Sequence, residues 1–313
     1  MHFKVNRFVP MTSLQNLGAT AYAILLVTTI NGDQSMSKPV EALFGYSVLL
    51  VSLWLVLIPN VYADLILSAP PRESAEQGQR MYEPLAKYFG DLLGEPVIYA
   101  QPRDWLQYST DMRSGKYDIV FDGPHFAAWR IKHLNHTPLV KLPGTLDFIV
   151  IARWDDNRIN KLRDLVALPV CGLPSPNLGT TMVMAQFVNP VTQPDILEAK
   201  GGFEDVVATF AAGTCRAAIV RDTVYKKLSD ADKKQFKVIF KSPPFPNQTV
   251  TISHRIRPQM REKLIAALTV KKGFTAAEVL FSEVSKNAKF FIPAKIAEYE
   301  GMESLLEGVV WGW

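Results

Sequence analysis

Beyond residue 63 the chain alternates short, continuous apolar runs with longer stretches in which apolar positions recur every three or four residues. That pattern predicts strands alternating with amphipathic helices. Residues 65–69 form an apolar strand that ends at Pro70-Pro71. The next stretch places Met81, Leu85, Tyr88 and Leu92 on one helical face, and Gly94 stops that helix. Residues 96–99 read as the second strand, and Asp104 can cap a helix running through Met112 to Ser114-Gly115. Residues 117–121 are the third strand, ending at Asp122-Gly123-Pro124, and residues 125–134 read as a helix. Such βαβαβα units build a parallel sheet with helices on both faces.

A longer apolar strand follows at 148–152, then a polar stretch at 155–160, and the rhythm restarts. Strands are expected at 166–171, 215–220, 238–240 and 249–253, with helices at 178–187 and 203–212. Residues 243–246 read as a rigid linker, and helices are expected at 259–268, 276–284 and 294–306. The expected class is α/β, with two Rossmann-like αβ lobes joined by a two-segment hinge near 147–153 and 245–253. Lobe 1 comprises 64–147 plus 254–313, and lobe 2 comprises 148–253. In open α/β sheets ligands sit at the carboxyl ends of strands, which places the expected site in the cleft between the lobes.

Upstream, residues 36–63 have the layout of a secretory signal peptide. Lys38 gives a thin positive start, residues 47–58 are uncharged and strongly apolar, and Pro59 precedes the compact triplet Val61-Tyr62-Ala63. Cleavage near Ala63 would export the remaining 250 of the 313 residues to the periplasm. The alternative is a membrane anchor, because residues 42–63 are free of charge for 22 positions. No cysteine stands near Ala63, which argues against a lipid anchor. Residues 1–35 carry a weaker apolar patch and precede a signal that can start at Met36, as a mis-chosen start or an N-terminal extension.

The exported part holds 31 Lys and Arg (34 less Lys4, Arg7 and Lys38) and 28 Asp and Glu (30 less Asp33 and Glu41). The resulting net charge of +3 is mild and spread along the chain, with no basic tract interleaved with aromatics, so nucleic acid is not an expected partner. Cys171 and Cys215 are the only cysteines. In an exported chain such a pair can form a disulfide; two buried thiols are the alternative. The five histidines are scattered, and no H-E-x-x-H or Cys/His cluster, G-x-S-x-G elbow, Walker loop or G-x-G-x-x-G loop is present. No metal, cofactor or catalytic set is therefore expected.

Three strand ends are candidate ligand contacts. The first is Asp122-Gly123-Pro124-His125-Phe126, where a helix start offers free N–H groups to an anion; an ordinary strand-to-helix turn is the alternative. The second is Pro174-Ser175-Pro176-Asn177-Leu178-Gly179-Thr180-Thr181, which brings hydroxyls, an amide and backbone donors; its alternative is a plain N-cap. The third is Arg221-Asp222-Thr223, where Arg221 can pair with a carboxylate or phosphate and Asp222 with an amine, against an exposed helix cap by Asp222. Trp105, at the second strand–helix junction, can wall the cleft or pack in the core.

The segment from Met81-Tyr82-Glu83-Pro84-Leu85-Ala86-Lys87-Tyr88-Phe89 to Leu93-Gly94-Glu95-Pro96-Val97, the run from Ser114-Gly115 through Tyr117-Asp118 to Gly123-Pro124, and Leu162-Arg163-Asp164-Leu165 occur in a telling order. Over about residues 64–255 they resemble the phosphate/phosphite/phosphonate-type substrate-binding proteins of ABC transporters, within the type II periplasmic binding proteins. The resemblance implies a Venus-flytrap architecture, hinge closure on a small phosphonate-like or other oxyanion, and a permease partner in trans. It also implies a monomer without enzymatic activity. A ligand sensor acting on a membrane kinase or receptor is the rival with the same fold, and an enzyme on this scaffold the remote one. The chain departs from the family where phosphonate-binding members carry a Ser-Thr-Ser-Gly grip. Here Pro176-Asn177-Leu178-Gly179 stands in its place, which leaves Thr180 and Thr181, one turn later, to supply hydroxyls. Trp105 stands where the family tends to have a tyrosine, and Phe126 offers a second aromatic contact.

Overall fold

The computed structural model describes residues 64–285 and 288–307, so the expectations for 1–35 and 36–63 lie outside the described residues. The chain first lays down β1 (Leu65–Ser68), α1 (Ala75–Leu93), β2 (Val97–Tyr99), α2 (Trp105–Arg113), β3 (Ile119–Asp122), α3 (Pro124–Leu134) and β4 (Thr137–Lys141). Ser74 caps α1 by accepting the Gln77 N–H, and Gly94 ends it in the left-handed region at φ 76°. The face of α1 that sinks deepest carries Met81, Tyr82, Leu85, Phe89 and Leu93. Tyr88 and Leu92, expected on that face, flank it half-buried, because Phe89 and Leu93 continue the turn-by-turn row below Leu85 more directly.

After β5 (Thr145–Leu146) the chain enters a second sheet with β6 (Phe148–Arg153), β7 (Pro169–Gly172), α4 (Leu178–Met184), β8 (Asp195–Glu198), α5 (Phe203–Ala211) and β9 (Ala217–Arg221). It continues through α6 (Asp222–Lys226), α7 (Asp230–Gln235) and β10 (Phe236–Lys241). It then returns through β11 (Phe245–Pro246) to β12 (Thr249–Ile252), α8 (Met260–Leu268), α9 (Lys271–Ala276), α10 (Glu278–Val284), β13 (Ile292–Pro293) and α11 (Ser304–Glu307). The expected helix over 294–306 is not continuous. A 3-10 turn at Ile296–Glu298 and α11 are separated by a turn containing Gly301 at φ 80°.

The first sheet has the order β13-β4-β12-β3-β1-β2 and the second β10-β6-β9-β7-β8. β1, β2 and β3 are parallel, as the βαβ rhythm requires. The returning β12 is buried along its length and runs antiparallel between β3 and β4. In the second sheet β7, β8 and β9 are parallel, and β6 alone runs against the others, antiparallel to β9 on one side and to β10 on the other. The two passages between the sheets pair with each other as β5 and β11, Leu146 opposite Phe245. This is a two-lobed α/β fold with a double crossing, and each sheet has its own apolar core. Cys171 on β7 and Cys215 just before β9 are buried and joined as a disulfide, with Cα atoms 5.6 Å apart.

Candidate functional site

The cleft between the two sheets encloses about 660 Å³. Nearly everything that lines it sits just past the carboxyl end of a strand: Arg72 beyond β1, Gly123 and His125 beyond β3, Pro176 and Asn177 beyond β7, Lys200 beyond β8, and Arg221 closing β9. Strand carboxyl ends leave their loops at one rim of a sheet, and two such rims face each other here. The walls are apolar: Trp105, Leu146, Phe148, Leu173, Leu178 and Phe203 contribute. The charged lining residues are Arg72, Lys200 and Arg221 against Glu198 alone, an excess of two positive charges.

Arg221 is the most informative of these. Its guanidinium lies over the Phe148 ring at 5.7 Å, and its Nε is buried with no hydrogen-bond partner. Burial pulls its pKa below the usual arginine value, against the opposing attraction of the Asp147 carboxylate. Asp222, expected beside it as a ligand group, instead forms an ion pair with Lys226 at 2.5 Å and does not line the cleft.

His125 bridges the lobes. Its Nε2 is 2.9 Å from the Pro176 carbonyl oxygen, and since that oxygen only accepts, Nε2 carries the proton. The ring packs on Phe126 with centroids 4.2 Å apart. Gly123 makes room for it, because a Cβ at position 123 would lie 2.9 Å from His125 Cε1. Burial lowers the His125 pKa to about 4, and burial beside Arg130 lowers that of His136 to about 2. Both rings are therefore neutral in the fold. The unfolded chain takes up these protons below about pH 6.5, so stability present above that pH is lost as pH falls, through the window between 6.5 and 4 for His125 and on towards 2 for His136. His125 alone should remove about 3 kcal/mol by pH 4. His125→Gln should make this acid limb shallower in urea unfolding, leaving the share of His136; an unchanged limb would contradict the assignment.

Most of the other sequence candidates lie behind the cleft surface. Asp122 is fully buried and chelated by Arg130, at 2.6 Å from Nη1 and 2.7 Å from Nη2. Tyr108 donates its hydroxyl to the same carboxylate, and Arg130 donates to Thr251 Oγ1 on β12. Pro124 and Phe126 are buried in α3, and Phe126 supports Trp105 by stacking, with centroids 6.0 Å apart. Thr180 Oγ1 donates to the Leu173 carbonyl at 2.6 Å, and Thr181 Oγ1 to the Asn177 carbonyl at 2.9 Å. The Asn177 side chain accepts the Gly179 N–H at 2.9 Å, so one donor of the α4 start is already engaged. Ser175 is half-buried between two lining prolines and does not itself line the cleft.

Gly179 is needed for a close approach: a Cβ there would fall 2.6 Å from Phe148 Cδ1, the ring beneath Arg221. Gly179→Ala should cost about 1–3 kcal/mol by overpacking, read as a lowered melting temperature; an unchanged melting temperature would mean the ring moves aside freely. Arg72, Glu198, Lys200, Phe148 and Phe203 were not singled out from sequence. For Arg72 the signal was present, since it follows a recognisable strand end. For Glu198 and Lys200 the strand itself went unrecognised. Among the described residues no cluster of His, Cys, Asp and Glu has the arrangement of a metal site, and no helix is long and apolar enough to cross a membrane.

The model of the ABC transporter, phosphonate, periplasmic substrate-binding protein family matches residues 67–299. Among solved structures, XAC2383 from Xanthomonas citri bound to ATP is 13% identical at a TM-score of 0.61, over 79% of this chain and 98% of that one. PhnD1 from Prochlorococcus marinus (MIT 9301) in complex with methylphosphonate is 15% identical at a TM-score of 0.54, over 78% and 97% of the two chains. A binding-protein component of an ABC phosphonate transporter from Pseudomonas aeruginosa (PA3383) is 18% identical at a TM-score of 0.50, over 77% and 84%. At these identities the likeness speaks to the fold alone. No curated protein sequence matches the chain.

Proposed function

The chain belongs to the phosphonate-type periplasmic substrate-binding family of ABC transporters, and from that premise we propose that it captures a small anionic solute in the interlobe cleft and hands it to a membrane permease. The family is one of solute-binding rather than catalytic proteins, and its two-lobed type II architecture suits capture by closure. In this reading the passages through β5 and β11 act as the hinge between a lobe built on the first sheet and a lobe built on the second; β12, expected in the second lobe, pairs between β3 and β4 and so goes with the first. Closure requires only that the ligand bind the closed form better than the open one by a few kcal/mol. Export follows from a signal ending near Ala63, and the protein works as a monomer with the permease in trans.

The observation that carries the anionic reading is the charge of the cleft. Arg72, Lys200 and Arg221 outnumber Glu198, and Arg221 holds a buried donor that no protein group satisfies. The Asp122 carboxylate, which would oppose an anion from the cleft floor, is neutralised by Arg130.

A thermal-shift panel of phosphate, phosphite, methylphosphonate, methanesulfonate, carboxylates, aromatic acids and amino acids tests this. An anion present at 100 times its Kd adds about 2.7 kcal/mol, which raises the melting temperature of a domain of this size by roughly 5–10 °C. Stabilisation by anions, lost in Arg221→Ala, is the expected result. Stabilisation by cationic or neutral solutes only would contradict the reading.

A further inference from the structure

The cleft is too large and too apolar for the smallest oxyanions. Pockets of about 300–1,000 Å³, mostly apolar with a few placed polar groups, suit ligands well above phosphite in size. Taking about 30 Å³ per heavy atom as a generous allowance, a five-atom ion such as methylphosphonate fills about 150 Å³ of the 660 Å³ available. This space persists although the lobes already touch through His125 and Pro176.

The hydroxyls and the backbone donor at the start of α4 that could grip a tetrahedral oxyanion are engaged elsewhere. The hydroxyls of Thr180 and Thr181 and the Gly179 N–H are all bonded within the chain. Of the three cations that line the cleft, Arg221 has the buried, unpartnered donor, and its planar fork matches a planar carboxylate in two parallel hydrogen bonds. Its Nε is one of four buried side-chain polar atoms without a partner among the described residues.

The aromatic wall supplies the rest. Trp105 is half-buried and stacks on Phe126, at 6.0 Å and 18° between planes, with Tyr108 at its edge. Trp105 also lines the cleft, as do Phe148 and Phe203 from the other lobe. A ring entering here meets aromatic groups contributed by both lobes, and offset or edge-to-face contacts of this kind add to simple area burial.

We infer that the ligand class is an aromatic carboxylate, its carboxylate paired with Arg221 and its ring held between Trp105 and the Phe148–Phe203 wall. This inference rests on the anionic reading of the same cleft. It makes Trp105 and Phe203 the specificity-determining residues, and it makes closure an apolar event, in which the ring joins the two lobes.

Matched pairs separate the two readings: acetate against phenylacetate and indole-3-acetate, and methylphosphonate against phenylphosphonate, each titrated calorimetrically into the protein. The expected result is binding of phenylacetate or indole-3-acetate at least tenfold tighter than acetate and tighter than phenylphosphonate. Trp105→Leu and Phe203→Leu should each shrink the phenylacetate preference at least fivefold without abolishing residual anion binding. The wild-type ratios alone decide the matter if either variant fails to fold. Methylphosphonate binding as well as or better than the aromatic acids would overturn the aromatic inference while leaving the anionic reading intact. Silence from every anion would overturn both.

Discussion

Replacing Arg130 by methionine should destabilise the protein by about 3–5 kcal/mol, the usual loss when one partner of a buried ion pair is removed. Both members of the pair are essentially inaccessible, at 1% and 0% side-chain exposure. Attraction to the Asp122 carboxylate and its hydrogen bonds raise the Arg130 pKa despite burial. Methionine approximates the stem and leaves Asp122 charged, buried and bonded only to Tyr108 on the side-chain side. The double variant Asp122→Asn/Arg130→Met removes both charges and should recover most of the loss. Urea unfolding at pH 7 measures both. A single variant within about 1 kcal/mol of wild type would show that water or a neighbour compensates the carboxylate. The pair also ties β3, α3, α2 and β12 together beneath the cleft, so the single variant should loosen the base on which Trp105 and His125 stand.

Removing the disulfide should cost about as much. Joining positions 44 apart in sequence restricts the unfolded chain by about 4 kcal/mol in the chain-entropy account, before any native strain is subtracted. The loop between Cys171 and Cys215 contains α4, β8 and α5, and with them Pro176, Asn177, Lys200 and Phe203 of the cleft wall. Both cysteines are buried against Val206 and Phe210, so an alanine pair also loses some packing. The Cys171→Ala/Cys215→Ala protein should melt roughly 8–16 °C lower, at 2–4 °C per kcal/mol for a domain of this size. Its denaturant slope should rise, because a longer unfolded chain exposes more surface. A melting temperature unmoved by the replacement would mean that the fold holds these strands without the bond.

The βαβ rhythm of the first three strands was legible because each strand is a short apolar run closed by Pro, Gly or Asp, and each helix carries a clear apolar face. The long-range pairing was not. Nothing local to residues 249–252 says that β12 will run antiparallel between β3 and β4, since that depends on a chain segment more than a hundred residues away. β4 carries no strand signal because only Leu139 and Val140 are apolar between Pro138 and Lys141, nor does β8, because Ile196 and Leu197 stand alone between acidic ends. In the site, the strand-end rule located Gly123, His125, Asn177 and Arg221 at the cleft. It could not say which way side chains turn. Asp122 and Thr180 sit at strand ends and helix starts of the kind that face ligands, yet Arg130 and the Leu173 carbonyl capture them. Arg130 lies eight positions past Asp122, a spacing with no sequence signature of its own.

Capture of an anion in the cleft requires that Arg221 hold it. The decisive measurement is calorimetric titration of the anion giving the largest thermal shift into wild-type protein and into Arg221→Ala, at pH 7 and low salt. Hydrogen bonds to a charged group contribute about 1.5–3 kcal/mol, so the variant should bind roughly 10- to 150-fold more weakly. Equal affinity in the two proteins would place the anion elsewhere and contradict the account.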